Sequence, residues 1–200
     1  MNKKQLQSEL TKRKILEAAR PFFIQKGYKA TCIEDIVSAT GCSAGNIYYH
    51  FKNKEGLFLS LLEDSDREWD DHWNAKKPTF TTSSEELYGL AEQVALDQIS
   101  HPLTKASDEF YNDSEKASDI KERMDRMVAE YVRFNRELLQ RGVERGEFEI
   151  EDVAQTATIL DALLYGLTQH ARKMSRNEAL AAYRGAMDVF LHGVARRDPG

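Results

Sequence analysis

The chain has 200 residues, 41% hydrophobic and 30% charged, with 11 Gly and 4 Pro. That length closes a sizeable core without disulfides or metals, and the composition excludes a turn-rich all-β chain, a linker-rich chain and a membrane span. The formal net charge of −5 is divided unevenly: residues 1–55 hold ten Lys/Arg against five Asp/Glu, and residues 56–200 hold eighteen against twenty-eight. A basic head on an acidic body predicts that the head meets a polyanion and the body does not.

In chain order, Ile15, Ala18, Ala19, Phe22 and Phe23 recur at i, i+3, i+4, i+7 and i+8, the apolar stripe of an amphipathic helix. Pro21 inside that stripe predicts a bend, and Gly27 a stop. Thr31 and Glu34 have capping-box spacing ahead of Ile33, Ile36 and Val37. Gly41 ends this second helix after about two turns. Ser43 is placed to cap a third, running to Phe51, and Asn53 a fourth, carrying Leu57, Phe58, Leu61, Leu62, Trp69 and Trp73. A loop around Pro78 follows. Further helices are predicted at about 84–100, 103–113, 117–141, 151–174 and 177–196, bounded by Pro102, Gly142/Gly146 and Ser175–Asn177. The expectation is an all-α chain of about nine helices. The N-terminus has charge but no apolar segment, which predicts a cytoplasmic protein. Cys32 and Cys42 have neither disulfide nor metal spacing and read as reduced thiols, with a redox switch as the alternative.

Two short helices joined by Thr40-Gly41-Cys42 read as a helix-turn-helix. At about 100° per residue, Ile47 and Phe51 project toward a core, and Gly45, Asn46 and Tyr49 project away, with Tyr48 and His50 on the flanks. An outward Gly, Asn and Tyr face suits a DNA groove: glycine admits close backbone approach, and tyrosines offer hydroxyls to phosphates and rings to thymine methyls. Lys52 and Lys54 add charge for the backbone.

Residues 27–58, GYKATCIEDIVSATGCSAGNIYYHFKNKEGLF, closely resemble the N-terminal signature of the TetR-type transcriptional repressors. The resemblance implies a helix-turn-helix domain over residues 1–55 and a ligand-binding, dimerising helical domain over 56–200. It carries DNA contact onto Thr31, Ser43, Ala44, Gly45, Asn46, Tyr48, Tyr49, His50 and Lys54. Ala44 departs from the longer polar side chain usual there, so less direct base reading is expected of it. Past residue 60, the segments DREWDDHW, HPLTKASDEFY, EYVRFNRELLQRGVERGEF and IEDVAQ resemble a multidrug-binding branch of the family. That likeness implies effector contacts at Asp66, Trp69, Tyr111 and Tyr131, with His101 standing where the branch has an aromatic ring.

Two more effector candidates come from position alone. Asp161 lies between Leu160 and Leu164 in an apolar stretch that also holds Tyr165. A buried carboxylate there needs a partner: a ligand cation, a helix hydroxyl, or Arg184 across an interface. The last two helices carry Ala154, Ala157 and Gly166, then Gly185, Met187, Phe190 and Val194, small and apolar residues suited to a two-fold four-helix contact. The expected partners are therefore an operator DNA duplex, a small-molecule effector and a second copy of the chain through its last two helices, with no membrane, metal or cofactor. No GxSxG, Cys–His–Asn or HExxH pattern supports an enzyme. The alternative function is a DNA-binding regulator or adaptor without a small ligand.

Overall fold

The computed structural model describes residues 2–112 and 116–194, apart from the side chains of 98–100, 193 and 194. The expected helix ends at 113 and 196, and the Val194 side chain, lie outside the described residues. Among those described there are nine α-helices: α1 (Lys3–Ala30), α2 (Ile33–Thr40), α3 (Ala44–Phe51), α4 (Lys54–Lys76), α5 (Ser83–Ser100), α6 (Thr104–Tyr111), α7 (Ser118–Glu144), α8 (Val153–Ala171) and α9 (Arg176–Val194), with a 3-10 turn at Lys77–Thr79. No helix among the described residues is long and apolar enough to cross a membrane.

The contacts gather the chain into two compact units, Met1–Asp70 with Pro102–Met124, and Asp71–His101 with Asp125–Gly200. This division does not fall at residue 55. The first half of α4 and α6 pack with the N-terminal helices because they share one apolar cluster with them. Phe58 sits 4.8 Å from Phe23, 5.2 Å from Tyr28 and 5.1 Å from Phe110, ring centre to ring centre. Tilted rings at that spacing gain more than their buried area alone provides. Arg123 of α7 adds a polar tie, pairing with Glu63 at 2.8 Å and donating to the Ser60 hydroxyl at 3.0 Å.

α1 begins twelve residues before its apolar stripe. Asn2 and Gln5 exchange side-chain bonds with each other's backbone amides at 2.9 and 2.8 Å, a capping box that closes the helix N-terminus. Ion pairs Lys12–Glu9 and Arg13–Glu17 support the turns between. The helix breaks at Gly27, where φ is 85° and ψ 178°, while Pro21 is accommodated within helical backbone. The break turns backbone groups loose, and three side chains answer them. Thr31 Oγ1 donates to the Gly27 carbonyl at 2.7 Å. The Glu109 carboxylate of α6 accepts from Lys29 N at 2.8 Å. The Lys54 ammonium donates to the carbonyls of Tyr28, Thr31 and Lys29 at 3.0, 3.1 and 3.3 Å and lies over the Tyr28 ring.

The expected capping box at Thr31 and Glu34 is displaced by one residue. With the Thr31 hydroxyl turned inward onto α1, Cys32 takes the N-cap position of α2, and its amide donates to Asp35, 3.2 Å away. Lys26 pairs with the same carboxylate at 2.8 Å, and both contacts hold Asp35 below the usual carboxylate range.

In the second unit, Trp73, Phe80 and Phe134 form a ring cluster at 5.6–5.7 Å. α5, α8 and α9 pack on one another around Leu87, Leu160, Leu164, Tyr183 and Met187, all buried. Glu86 is 2% exposed and is matched by Arg141 at 2.6 Å and Arg145 at 3.5 Å, so a buried charge is paired. Gly142, expected at a boundary, lies inside α7, and its carbonyl accepts from Glu147 N and Phe148 N beyond the helix end. The Phe148 ring packs where a Gly142 Cβ would be.

Two substitutions test the closure of α1. Lys54→Met removes three charge-assisted bonds and should cost about 2 kcal/mol. Gly27→Ala places a Cβ 2.6 Å from Glu109 Oε1 in a positive-φ, extended-ψ backbone that only glycine adopts readily, and should destabilise by about 1–3 kcal/mol. Urea melts of both, of Glu109→Ala, and of the Gly27→Ala/Glu109→Ala pair, measure these costs. A double variant whose loss is less than the sum of the singles marks the Glu109 contact as coupled to Gly27.

Candidate nucleic-acid interface and effector residues

Helices α2 and α3 meet through a tight turn. Gly41 adopts φ 68° and its amide donates to the Val37 carbonyl at 2.9 Å. The buried Thr40 hydroxyl donates to Ile36 O at 2.8 Å and accepts from Cys42 N at 3.1 Å, so both sides of the turn are tied. Ser43 Oγ accepts from Asn46 N at 3.2 Å, as expected of an N-cap. On α3, Ile47 and Phe51 are buried at 0% and 5%, while Tyr49 is 80% and Tyr48 45% exposed. A Cβ at Gly45 would meet nothing nearer than Ser43 Oγ at 3.9 Å, so the first turn presents a bare backbone. Ala44, Asn46 and His50 are half-buried, and Ser43 is exposed. Burial, and secondarily the Lys12 ammonium, pull the His50 imidazole below its ordinary value, and its ring lies edge-on to Tyr49.

Seven of the nine sequence-derived contacts therefore lie on or at the start of α3. The other two are placed differently. Thr31 is 1% exposed, with its hydroxyl committed to Gly27 O. Lys54 is half-buried, with its ammonium on the α1 carbonyls. Both shape the head from inside. Sequence alone gives no sign of this, because the lysine's acceptors are main-chain atoms more than twenty residues away.

The effector candidates fall in both units. In the first, Asp66 and Trp69 are half-buried one turn apart on α4, and Tyr111 is 50% exposed at the end of α6, edge-on to Phe110. In the second, His101 is half-buried after α5, and Tyr131 is 42% exposed on α7. Asp161 and Tyr165 share one face of α8 at i and i+4, and Tyr165 is 67% exposed. Among the described residues Asp161 has no hydrogen bond or ion pair, and burial alone raises its carboxyl above the ordinary range. Among the described residues no helix hydroxyl serves it, and Arg184 of the same chain lies over the Tyr88 ring at 5.3 Å. No group of acidic, His or Cys side chains among the described residues could hold a metal.

Residues 15–61 match the family model for the N-terminal region of bacterial regulatory proteins of the tetR family. Residues 65–196 match the model for the QacR-like C-terminal region. The chain belongs to the TetR family of transcriptional regulators. It is similar to the HTH-type transcriptional regulator QacR of Staphylococcus aureus, 31% identical over 185 residues, covering 92% of this chain and 98% of that one. Among solved structures, a TetR-family regulator from Pectobacterium atrosepticum superposes with a TM-score of 0.77 at 20% identity, covering 96% and 97% of the two chains. A regulator from Saccharomonospora viridis in complex with choline superposes at 0.72 with 24% identity, covering 94% and 100%. As a TetR-family member the chain is a DNA-binding regulator and not an enzyme. Regulators of this family bind operators and small-molecule effectors and act as dimers.

The α3 surface makes a paired prediction. Ile47→Ala should cost about 2–5 kcal/mol of stability, because it empties a fully buried site. Tyr49→Ala should leave the melting temperature nearly unchanged and weaken DNA binding. Thermal melts beside binding curves check both. An early-melting Tyr49→Ala would show that the exposed ring serves the fold.

Proposed function

We propose that the protein is a repressor that binds a palindromic operator as a homodimer in the cytoplasm and leaves it when a small aromatic or cationic effector binds. The observation that carries the DNA half is the α3 surface: a bare Gly45 backbone and two exposed tyrosines on a helix anchored by Ile47 and Phe51. Ser43, Ala44, Gly45, Asn46, Tyr48, Tyr49 and His50 then face the groove and its phosphates, and Thr31 and Lys54 hold the head in shape.

The dimer half rests on α8 and α9. Ile159 is 54% and Val189 77% exposed, and Cβ atoms at Gly166 and Gly185 would meet nothing. Exposed apolar residues beside open glycines suit close approach by helices of a second copy, which would pair two recognition helices on successive major grooves.

The effector half rests on Tyr165 and Asp161. An exposed ring one turn from an unpaired, desolvated carboxylate suits a cation or a polar aromatic molecule. The choline bound by the Saccharomonospora viridis regulator is a quaternary ammonium of that class. Asp66, Trp69, His101, Tyr111 and Tyr131 are further contacts on family likeness, each tested by its own substitution. Release requires the effector to bind the non-operator conformation more tightly than the operator-bound one.

Selection from a random duplex pool, followed by light scattering of the protein with and without the selected site, should give a dimer on a two-fold sequence. A monomer with no sequence preference refutes the reading. Quaternary ammonium compounds and neutral aromatics are then screened for dissociation of that complex. A cationic effector should bind more tightly as pH rises through the raised Asp161 value, because only the ionised carboxylate attracts it. Asp161→Asn should flatten that dependence. If no compound releases the complex, the protein regulates without a small effector.

A further inference from the structure

The first turns of α1 carry Lys3, Lys4, Lys12, Arg13 and Lys14 against the single acid Glu9. They precede residue 15, where the N-terminal family match begins. Of the ten Lys/Arg before residue 55, five face a carboxylate and two donate to backbone carbonyls. Lys3, Lys4 and Lys29 are the three whose ammonium groups have no partner among the described residues. Two of those three free ammonium groups thus lie in the first turn of α1, on exposed side chains.

The arm that carries them is built and placed. Its end is closed by the Asn2–Gln5 capping box, so it is a formed helix. At 1.5 Å per residue, Lys3 stands about 18 Å along the axis from the buried Ile15. Lys14 donates to the Thr40 carbonyl at 2.8 Å, against the end of α2. Glu9 and Lys12 lie close enough to α3 for their charges to act on His50. The arm therefore leaves the head beside both helices of the helix-turn-helix, and its free charge lies beyond them.

We propose that residues 3–14 form a DNA-backbone arm, with Lys3 and Lys4 contacting phosphates that flank the groove entered by α3. The proposal rests on the DNA-binding reading above and adds to it a second contact that lies outside the recognition helix. Charge complementarity selects the occupant: free lysines on a net-basic helix within a chain of net charge −5 match a polyanion already held by the adjoining helices. The apolar residues of the arm, Leu6 and Leu10, are 48% and 53% exposed, and two leucines make a narrow strip for an anionic membrane surface.

The test uses the full chain and its pool-selected duplex. Affinity is measured across roughly 50 to 200 mM salt for the wild type, Lys3→Gln/Lys4→Gln and Lys3→Arg/Lys4→Arg. The Gln pair should lower the slope of log affinity against log salt by about 0.9 per lost contact, close to two in all, and the Arg pair should keep it. Phosphate-ethylation interference should lose its flanking signals in the Gln pair and retain the central ones, with helicity and melting unchanged. An unchanged slope with an unchanged interference pattern overturns the arm and leaves α3 recognition standing. Binding to phosphatidylglycerol vesicles that the Gln pair abolishes, with the DNA slope unaltered, overturns it in favour of a membrane contact. A wild type that selects no duplex refutes the regulator reading itself.

Discussion

The DNA-binding head depends on how the broken end of α1 is closed. A helix that stops leaves carbonyls and amides that cost free energy when buried without partners. Here the break at Gly27 is answered from three other places in the sequence: the Thr31 hydroxyl, the Glu109 carboxylate and the Lys54 ammonium. Each bond fixes a different neighbour. Thr31 sets where α2 starts, Lys54 sets where α4 starts, and Glu109 seats α6. The aromatic cluster of Phe23, Tyr28, Phe58 and Phe110 then fills the space these polar ties enclose. The orientation of α3 follows from this frame, since α3 has only eight residues and too little apolar surface to orient itself.

Much of the fold is legible because helices advertise themselves. The Ile15–Phe23 stripe, the Gly41 stop, the Ser43 cap and the Ile47/Phe51 pair each express a local rule, and the structure follows them. The misreadings occur where a distant group outweighs that rule. Thr31 looks like an N-cap, but its hydroxyl turns back to donate to the Gly27 carbonyl of the preceding helix. Lys54 looks like a solvent-facing charge, and its three carbonyl partners cannot be read from spacing. Residues 3–14 have no apolar stripe, so their helix is invisible to periodicity and rests on caps and ion pairs instead. The α3 surface, by contrast, is readable almost whole, because burial and exposure alternate there at helical period.

The second unit balances its polar groups differently. Glu86 lies deep among apolar side chains and carries two arginines with it, while Thr168 and Tyr183 share a buried hydroxyl contact at 3.0 Å. Against that background Asp161 stands out. A carboxylate whose neighbours are mostly apolar raises the free energy of its own ionised form. Sequence shows the residue in its apolar run, but not that no described residue of its own chain pairs with it. Tyr88 is the contrasting case. Its hydroxyl is taken by Asp188 and its face by Arg184, so that ring is already satisfied within the fold.

Two glycines of this chain face different evolutionary filters. At Gly41 the backbone is left-handed, but a side chain there would have open space around its Cβ out to 4 Å, so only conformation restricts the residue. Asparagine, which tolerates that region, is an accessible replacement. Gly142 has ordinary helical backbone and a phenyl ring in the place of its side chain. No single step to a larger residue is open there unless position 148 shrinks as well. Across descendants of this sequence, position 41 should drift alone, whereas positions 142 and 148 should change as a covarying pair, each preserving the volume that the other gives up.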